Sequence, residues 1–339
     1  MHNKNLLSFT PIGLVLLLSF VFLGCSGKQY YEPKSTSSLS GSNMGDKLIH
    51  YSRDGATLES GKVLTKTQIV DLELENGFYF INHNRSAAIT ADLQGNCNIV
   101  TEKGTVASAK FPKALVAGTL IGKYLVYVLQ NNHYGVYDFS QNKTVYTNKS
   151  NKAFAIDTRI ANPLSIDKLV VIPTLDGKLT ILDLDTLKVA KEMYVSTESS
   201  LNNIIFLDKI KNTLIAATPN KILSISAKGK KELDTAVSEV AITNDSVFVF
   251  AVDGRILKLD ETLSVISENK FKFAHFSVAG LNADKVFALD KQGYLIVANN
   301  TLSKHKVYKL SDVDSYAFIS NGQLYFDDEI INLNTLSYE

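Results

Sequence analysis

Cysteine is almost absent from this chain, and that scarcity limits how the fold can be held together. Only two cysteines, Cys25 and Cys97, occur among 339 residues. A disulfide framework of the kind that stabilises small secreted domains is therefore excluded. The chain is long enough to bury a large apolar core, so we expect the fold to rest on that core alone.

An excess of charge of one sign is also lacking. Lysine and arginine number 35 against 34 aspartates and glutamates, which gives a formal net charge of +1. Proteins that bind nucleic acids present basic surfaces that attract phosphates, and nothing in this balance indicates such a surface. We expect no nucleic-acid partner.

Sequence motifs for catalysis and metal binding are missing as well. The six histidines never pair at metal-ligand spacing, and Cys97 has no Cys or His close to it in sequence, so we interpret it as a small buried apolar residue. The chain has no Gly-rich phosphate loop and no Gly-x-Ser-x-Gly turn. The sequence therefore predicts no catalytic residue, no metal ligand and no cofactor, and it favours binding over enzymatic activity.

The first 24 residues have the layout of an export signal. Lys4 precedes an apolar run from Ile12 to Leu23, which is shorter than the about 20 residues that a membrane-spanning helix needs. The pair Gly24-Cys25 follows, and it resembles the lipobox of bacterial lipoproteins, in which the Cys is acylated and becomes the first residue. We predict a signal peptide over 1–24 and lipidation at Cys25; the alternative is an ordinary secretory signal followed by an incidental cysteine.

The segment after Cys25 is poor in aliphatic residues. Residues 26–46 are rich in Ser, Gly and Lys, a composition typical of solvated linkers. We predict that 25–46 is a lipidated Cys with a flexible tether, attached to the membrane through the lipid alone. We also expect that deletion of residues 26–44 leaves the stability of the domain unchanged.

A repeat of about 40 residues organises the rest of the chain. Short alternating apolar runs flank turn signals such as Asp176-Gly177, where glycine supplies the positive φ of a tight hairpin turn. The same signal recurs at Gly55, Gly95, Gly135, Gly177, Asn220, Gly254 and Gly293, and an acidic or amide residue followed by Thr-Leu recurs in phase with it. This period is that of a four-stranded propeller blade, whereas a β-solenoid has shorter rungs and stacked sandwiches have longer units.

The ends of the repeat indicate how the ring closes. Residues 77–338 hold seven complete units, and Leu48 to Thr65 holds part of another. We predict an all-β propeller over 47–339 with eight blades, seven being the alternative. Because the last unit ends early, strands from the two chain ends are expected to share a blade.

The repeat resembles that of quinoprotein-type (PQQ-like) propellers, on the stretch from Gly177 through Asp183 and Thr186 to Val189. Together with the lipobox and the tether, it resembles the B subunit of the outer-membrane β-barrel assembly machine. That resemblance implies a non-enzymatic scaffold that docks on a barrel-inserting protein at the periplasmic face of the outer membrane. The cofactor platform of true quinoprotein dehydrogenases is a tryptophan, and this chain has none.

Three functional hypotheses remain open. The favoured one is a protein-binding scaffold in outer-membrane protein assembly, placed on the periplasmic face by its lipid. The second is a cell-surface lipoprotein that binds host or matrix proteins, and the third, less favoured, is a propeller that binds a ligand or cofactor. Ser26 lacks the acidic character that retains some lipoproteins at the inner membrane, which is consistent with an outer-membrane location.

Overall fold

A computed structural model describes residues 29–339 except 73, 85, 86, 155, 199, 283, 311, 312, 314 and 315. The predicted signal peptide and Cys25 lie outside the described residues. Among those described, no helix is long and apolar enough to cross a membrane. The structure begins with two short strands, β1 (Ser37–Ser38) and β2 (Ser42–Asn43).

The remaining strands form eight sheets that follow one another along the chain. The first four blades are β3 (Leu48–Tyr51), β4 (Gly55–Leu58), β5 (Val63–Thr65) and β6 (Ile69–Val70); β7 (Tyr79–Asn84), β8 (Ala87–Ala91), β9 (Asn96–Thr101) and β10 (Gly104–Lys110); β11 (Leu115–Ile121), β12 (Tyr124–Leu129), β13 (His133–Asp138) and β14 (Lys143–Lys149); and β15 (Leu164–Ile166), β16 (Leu169–Pro173), β17 (Lys178–Asp183) and β18 (Lys188–Tyr194).

The last four blades are β19 (Phe206–Ile210), β20 (Thr213–Ala217), β21 (Lys221–Ser226) and β22 (Gly229–Asp234); β23 (Val237–Ile242), β24 (Val247–Ala251), β25 (Arg255–Leu259) and β26 (Val265–Lys270); β27 (Phe276–Asn282), β28 (Lys285–Asp290), β29 (Tyr294–Asn299) and β30 (His305–Lys309); and β31 (Ala317–Ser320), β32 (Gln323–Phe326) and β33 (Glu329–Asn332), followed by a 3-10 turn at Leu333–Thr335. The predicted eight-bladed β-propeller is confirmed.

Burial along the strands shows how the blades pack. The first strands of neighbouring blades contact one another, as β23 does β27, so they line the centre of the ring. Second strands such as β24 are buried on both faces, because each blade is covered by its two neighbours. Fourth strands such as β22 are mostly exposed and form the rim. The core therefore consists of apolar layers between blades.

The turn positions of the repeat fall into two structural groups. Gly95, Gly177, Gly254 and Gly293 lie in turns and have positive φ. Gly55 and Gly135 lie inside β4 and β13 instead, and the turn before β13 takes its positive φ at Asn132. These two glycines are needed for space, because a Cβ on Gly135 would lie 2.3 Å from the carbonyl oxygen of Tyr146. Asn220 lies in the turn between β20 and β21.

The Thr-Leu signal marks the turns between third and fourth strands. In one of them the Asp183 carboxylate accepts hydrogen bonds from the backbone N–H of Thr186 at 2.8 Å and its hydroxyl at 3.0 Å. Leu187, Leu263 and Leu302 then adopt positive φ, and the Leu302 side chain is buried. The Asp183 carboxylate is thus a turn cap.

Ring closure uses strands from both ends of the chain, as predicted. The last blade takes β31, β32 and β33 from the C-terminal end and β2 as its outermost strand, with Ser42 opposite Ile330. Residues 48–70 form a complete blade of their own. The closing strand therefore comes from the segment whose composition predicted a tether.

The N-terminal segment is attached to the ring along most of its described length. Tyr31 is 7% exposed, and its ring makes edge-to-face contacts with Phe271 and Tyr294. Strand β1 then adds to β30 in parallel. Residues from Tyr31 onward thus differ from the expected flexible tether, because they are attached to the ring. One aromatic side chain and two strand pairings, β1 with β30 and β2 with β33, hold a segment that is otherwise polar.

Candidate functional site

Connections between blades all emerge at one end of the ring, which we name the loop end. Two of them are long: residues 150–163 lead from β14 to β15, and residues 195–205 lead from β18 to β19. The other connections contain two to eight residues. Both long loops flank the fourth blade, and long loops on a rigid scaffold are where binding surfaces usually lie.

These two loops carry apolar side chains into solvent. Phe154 is 86% exposed and Leu201 is 44% exposed, and Ile156 is slightly less exposed than Leu201, as is Tyr194 at the end of β18. A cleft of about 290 Å³ lies between the loops and above the turn at Leu175. An exposed aromatic side chain at the edge of an open cleft is suited to contact another protein.

The first loop is fixed at its base by Asp176, in the turn between β16 and β17. One carboxylate oxygen accepts hydrogen bonds from the Ser150 hydroxyl at 2.9 Å and the Asn151 N–H at 3.1 Å. The other accepts from the Thr174 hydroxyl at 2.6 Å and the Asn132 amide at 2.9 Å. Asn132 belongs to the third blade, so the base of the loop is joined to two blades at once.

Two adjacent asparagines fix the second loop, Asn203 to the first loop and Asn202 to the turn at Asp176. The buried Asn203 side chain accepts from the Asp157 N–H at 2.7 Å and donates to the carbonyls of Asp157 and Arg159 at 3.1 and 3.2 Å. Asn202 donates to the carbonyls of Asp176 at 2.9 Å and Ser196 at 2.8 Å. The exposed apolar groups are therefore presented from a preformed base, which lowers the entropy cost of binding.

Gly177 is part of this base as well as of the repeat. Its φ is +84°, and a Cβ there would lie 2.5 Å from the Asn202 amide nitrogen and 2.6 Å from the Ser196 carbonyl oxygen. A residue with a side chain would therefore push the second loop away from the fourth blade. The repeat glycine predicted from sequence thus also shapes the cleft.

The central channel is a second site with concentrated polar groups. Arg53, in the turn after β3, reaches across to Glu239 in β23 at 3.0 Å, and its guanidinium lies 4.3 Å from the centre of the Phe206 ring in β19. Asp54 accepts a hydrogen bond at 2.7 Å from Asn162, which in turn accepts one at 2.9 Å from the N–H of Gly118. These contacts link the first blade to the third, fifth and sixth.

Charges in the channel are largely paired. Burial by itself would raise the pKa of the Asp54 carboxyl, but nearby Lys66 and Arg53 and the Asn162 amide outweigh it and hold that pKa below its usual value. No set of three or more His, Cys, Asp or Glu side chains within the described ranges is arranged to hold a metal ion. The arrangement is suited to holding blades together across the channel.

Cys97 lies in the core between the second and third blades. It is a free thiol with no solvent exposure, and burial raises its pKa to about 12. A thiol of this kind is a poor nucleophile and metal ligand at neutral pH. Its position agrees with the interpretation of Cys97 as a small buried apolar residue.

The apolar loop surface was not identified from the sequence. Phe154 and Leu201 belong to no motif, and nothing in the composition separates them from core residues. The sequence does contain one indication of the long loops: the intervals from Gly135 to Gly177 and from Gly177 to Asn220 are the two widest in the repeat. The additional residues lie in the two long loops.

No family model matches this chain. It is similar to the plasminogen-binding protein PgbB of Helicobacter pylori: the proteins of two strains are 24% and 23% identical to it, each across 93% of this chain and 67% of its own length. Among solved structures it is similar to BamB from Moraxella catarrhalis, with a TM-score of 0.65 and 15% identity over 87% of this chain and 98% of that one. The chain thus has a BamB-like propeller fold.

Proposed function

We propose that this chain is an envelope lipoprotein, anchored by lipid at Cys25, whose propeller binds another protein through the loop surface formed by 150–163 and 195–205. The observation that carries the proposal is Phe154, which is exposed on a loop whose base is fixed by Asp176 and Asn203. An exposed aromatic on a rigid base is typical of an energetically important contact in a protein interface. The proposal includes no catalytic step.

We propose an extracellular protein of the kind that PgbB is named for, plasminogen, as the partner to test first. The supporting observation is sequence similarity along 93% of the chain. Such a partner requires the propeller to lie on the cell surface, whereas the resemblance drawn from the repeat and lipobox favoured the periplasmic face. Likeness to BamB concerns the fold alone, so a scaffold for outer-membrane protein assembly is the second candidate.

We expect the loss of two exposed apolar side chains to weaken partner binding by at least tenfold. The change is Phe154→Ser combined with Leu201→Ser, and truncated anchor residues commonly cost more than 1 kcal/mol of binding free energy each. The measurement is the dissociation constant for immobilised plasminogen, with a chain that begins at Ser26.

The matched control is Val265→Ser combined with Ile266→Ser on the rim of the sixth blade, where both side chains are more than half exposed. It removes similar apolar surface far from the loops and should leave binding unchanged. Equal weakening by both double variants would refute the loop surface as the binding site. Absence of plasminogen binding by the unaltered chain would remove that partner, and the same comparison would then be made with a purified outer-membrane barrel-assembly protein.

A further inference from the structure

The N-terminal segment leaves the ring at a defined place. Tyr31 is held between the sixth and seventh blades by Phe271 and Tyr294, with ring centres 6.1 and 5.7 Å apart. The pKa of Tyr31 is raised to about 12, mainly because the side chain is buried and to a smaller extent because Asp290 and Tyr294 lie nearby. The side chain is therefore a neutral, buried anchor at physiological pH, and the segment before it starts from a fixed point on the rim.

The distance from this point to the lipid is short. Five residues separate Cys25 from Tyr31, and an extended chain of that length spans at most about 20 Å. With lipid on Cys25, which rests on the proposed function, the rim at Tyr31 cannot move farther than this from the membrane surface. The docked segment therefore orients the propeller, which a free tether of twenty residues would not do.

The surface at this point carries more positive than negative charge. A groove of about 640 Å³ lies between residues 31–37 and the ends of β26 and β30. Four lysines line it, Lys34, Lys270, Lys272 and Lys306, against the two carboxylates of Glu32 and Glu339. Glu339 is paired with Lys304 at 2.6 Å and Lys270 lies 3.7 Å from Asp253.

Three of these lysines are available for an external anion. Among the residues that the structure describes, Lys34, Lys272 and Lys306 lie within 4 Å of no carboxylate. Two of them contact aromatic rings: Lys272 lies over Phe273 and Lys306 over Tyr308. Such a cluster contrasts with the near-neutral charge of the whole chain.

We propose that this rim surface, formed by Lys34, Lys272 and Lys306 beside the docked Tyr31, contacts the anionic headgroups of the membrane that carries the lipid anchor. Lysines attract anionic lipids over distances of about 8 Å at physiological salt. The short reach from Cys25 keeps the groove within about 20 Å of the surface, so the propeller can lean until the lysines meet the headgroups of the same membrane that holds the lipid.

The test is cosedimentation with vesicles of a chain that begins at Ser26 and carries no lipid. Vesicles contain phosphatidylethanolamine with or without about 30% phosphatidylglycerol. We expect binding only to the anionic vesicles, and we expect Lys34→Gln, Lys272→Gln and Lys306→Gln together to reduce the partition coefficient at least tenfold. The matched control replaces Lys143, Lys188 and Lys191, exposed lysines on the rim of the third and fourth blades, and should bind like the unaltered chain.

Equal losses in the two triple variants, or equal binding to neutral and anionic vesicles, would overturn the proposal, as would no binding by the unaltered chain. Lipidation is tested separately by fatty-acid labelling of the full chain and its Cys25→Ser variant. Label that persists in the variant would end the lipoprotein proposal without altering the vesicle result. The two failures are therefore distinguishable.

Discussion

A chain that begins at residue 45 should unfold at a urea concentration more than about 1 M below that of a chain that begins at Tyr30. The shorter chain lacks Tyr31, β1 and β2, so it loses a buried aromatic side chain and the outermost strand of the last blade. Removing a buried aromatic group alone costs about 3–5 kcal/mol. Opening the last blade also exposes the edge of β33.

A third chain, beginning at residue 40, separates the two contributions. It lacks Tyr31 and β1 but keeps β2, whose contacts include the hydrogen bonds from the Gly41 N–H to the Glu329 carboxylate and from the Met44 N–H to the Asp328 carbonyl. We expect its unfolding midpoint to lie between the other two. If chains that begin at 40 and 45 unfold at the same urea concentration, β2 does not close the ring.

Replacement of Gly254 by alanine should lower the free energy of unfolding by about 3 kcal/mol or more. Gly254 has a φ of +83°, and a Cβ there would lie 2.0 Å from the carbonyl oxygen of Phe271. A left-handed conformation costs an alanine about 1–2 kcal/mol, and the backbone must also move to relieve the collision. Because Phe271 contacts Tyr31, the displacement would reach the N-terminal anchor, and urea unfolding measures the total.

Gly104 provides the matched control for this substitution. Its φ is +96°, and no atom lies within 4 Å of the position that a Cβ would take. Gly104→Ala should therefore cost only the conformational term, about 1–2 kcal/mol. Equal losses of stability in the two variants would show that the contact with Phe271 contributes nothing.

The fold was predictable because each repeat is marked by residues that favour a particular turn locally. Glycines such as Gly177 and Gly254 mark turns that demand positive φ, and the Thr-Leu pairs mark turns capped by side chains such as Asp183. Local chemistry of this kind is visible in a single sequence. Gly135 also falls at the repeat spacing, but a glycine is needed there because the Tyr146 carbonyl approaches closely. Positions with the same spacing in the sequence therefore differ in their backbone surroundings.

The N-terminal segment and the loop surface were not predictable in the same way. Tyr31 is one aromatic residue in a polar stretch, and its burial depends on Phe271 and Tyr294, which are more than 200 residues away. Phe154 lies in a loop that Asp176 and Asn203 fix on either side of it, through the N–H groups of Asn151 and Asp157. Such contacts between distant residues leave no pattern in composition or periodicity.

The central claim, that the propeller presents its partner-binding surface at the loop end, is tested most directly by crosslinking in intact cells. A photoreactive amino acid would replace Phe154 in the full chain, and in a second chain it would replace Lys228, an exposed residue in the turn between β21 and β22 at the opposite end of the ring. We expect a single predominant protein adduct from position 154 and none from position 228. The same adducts from both positions, or no adduct from position 154, would contradict this account.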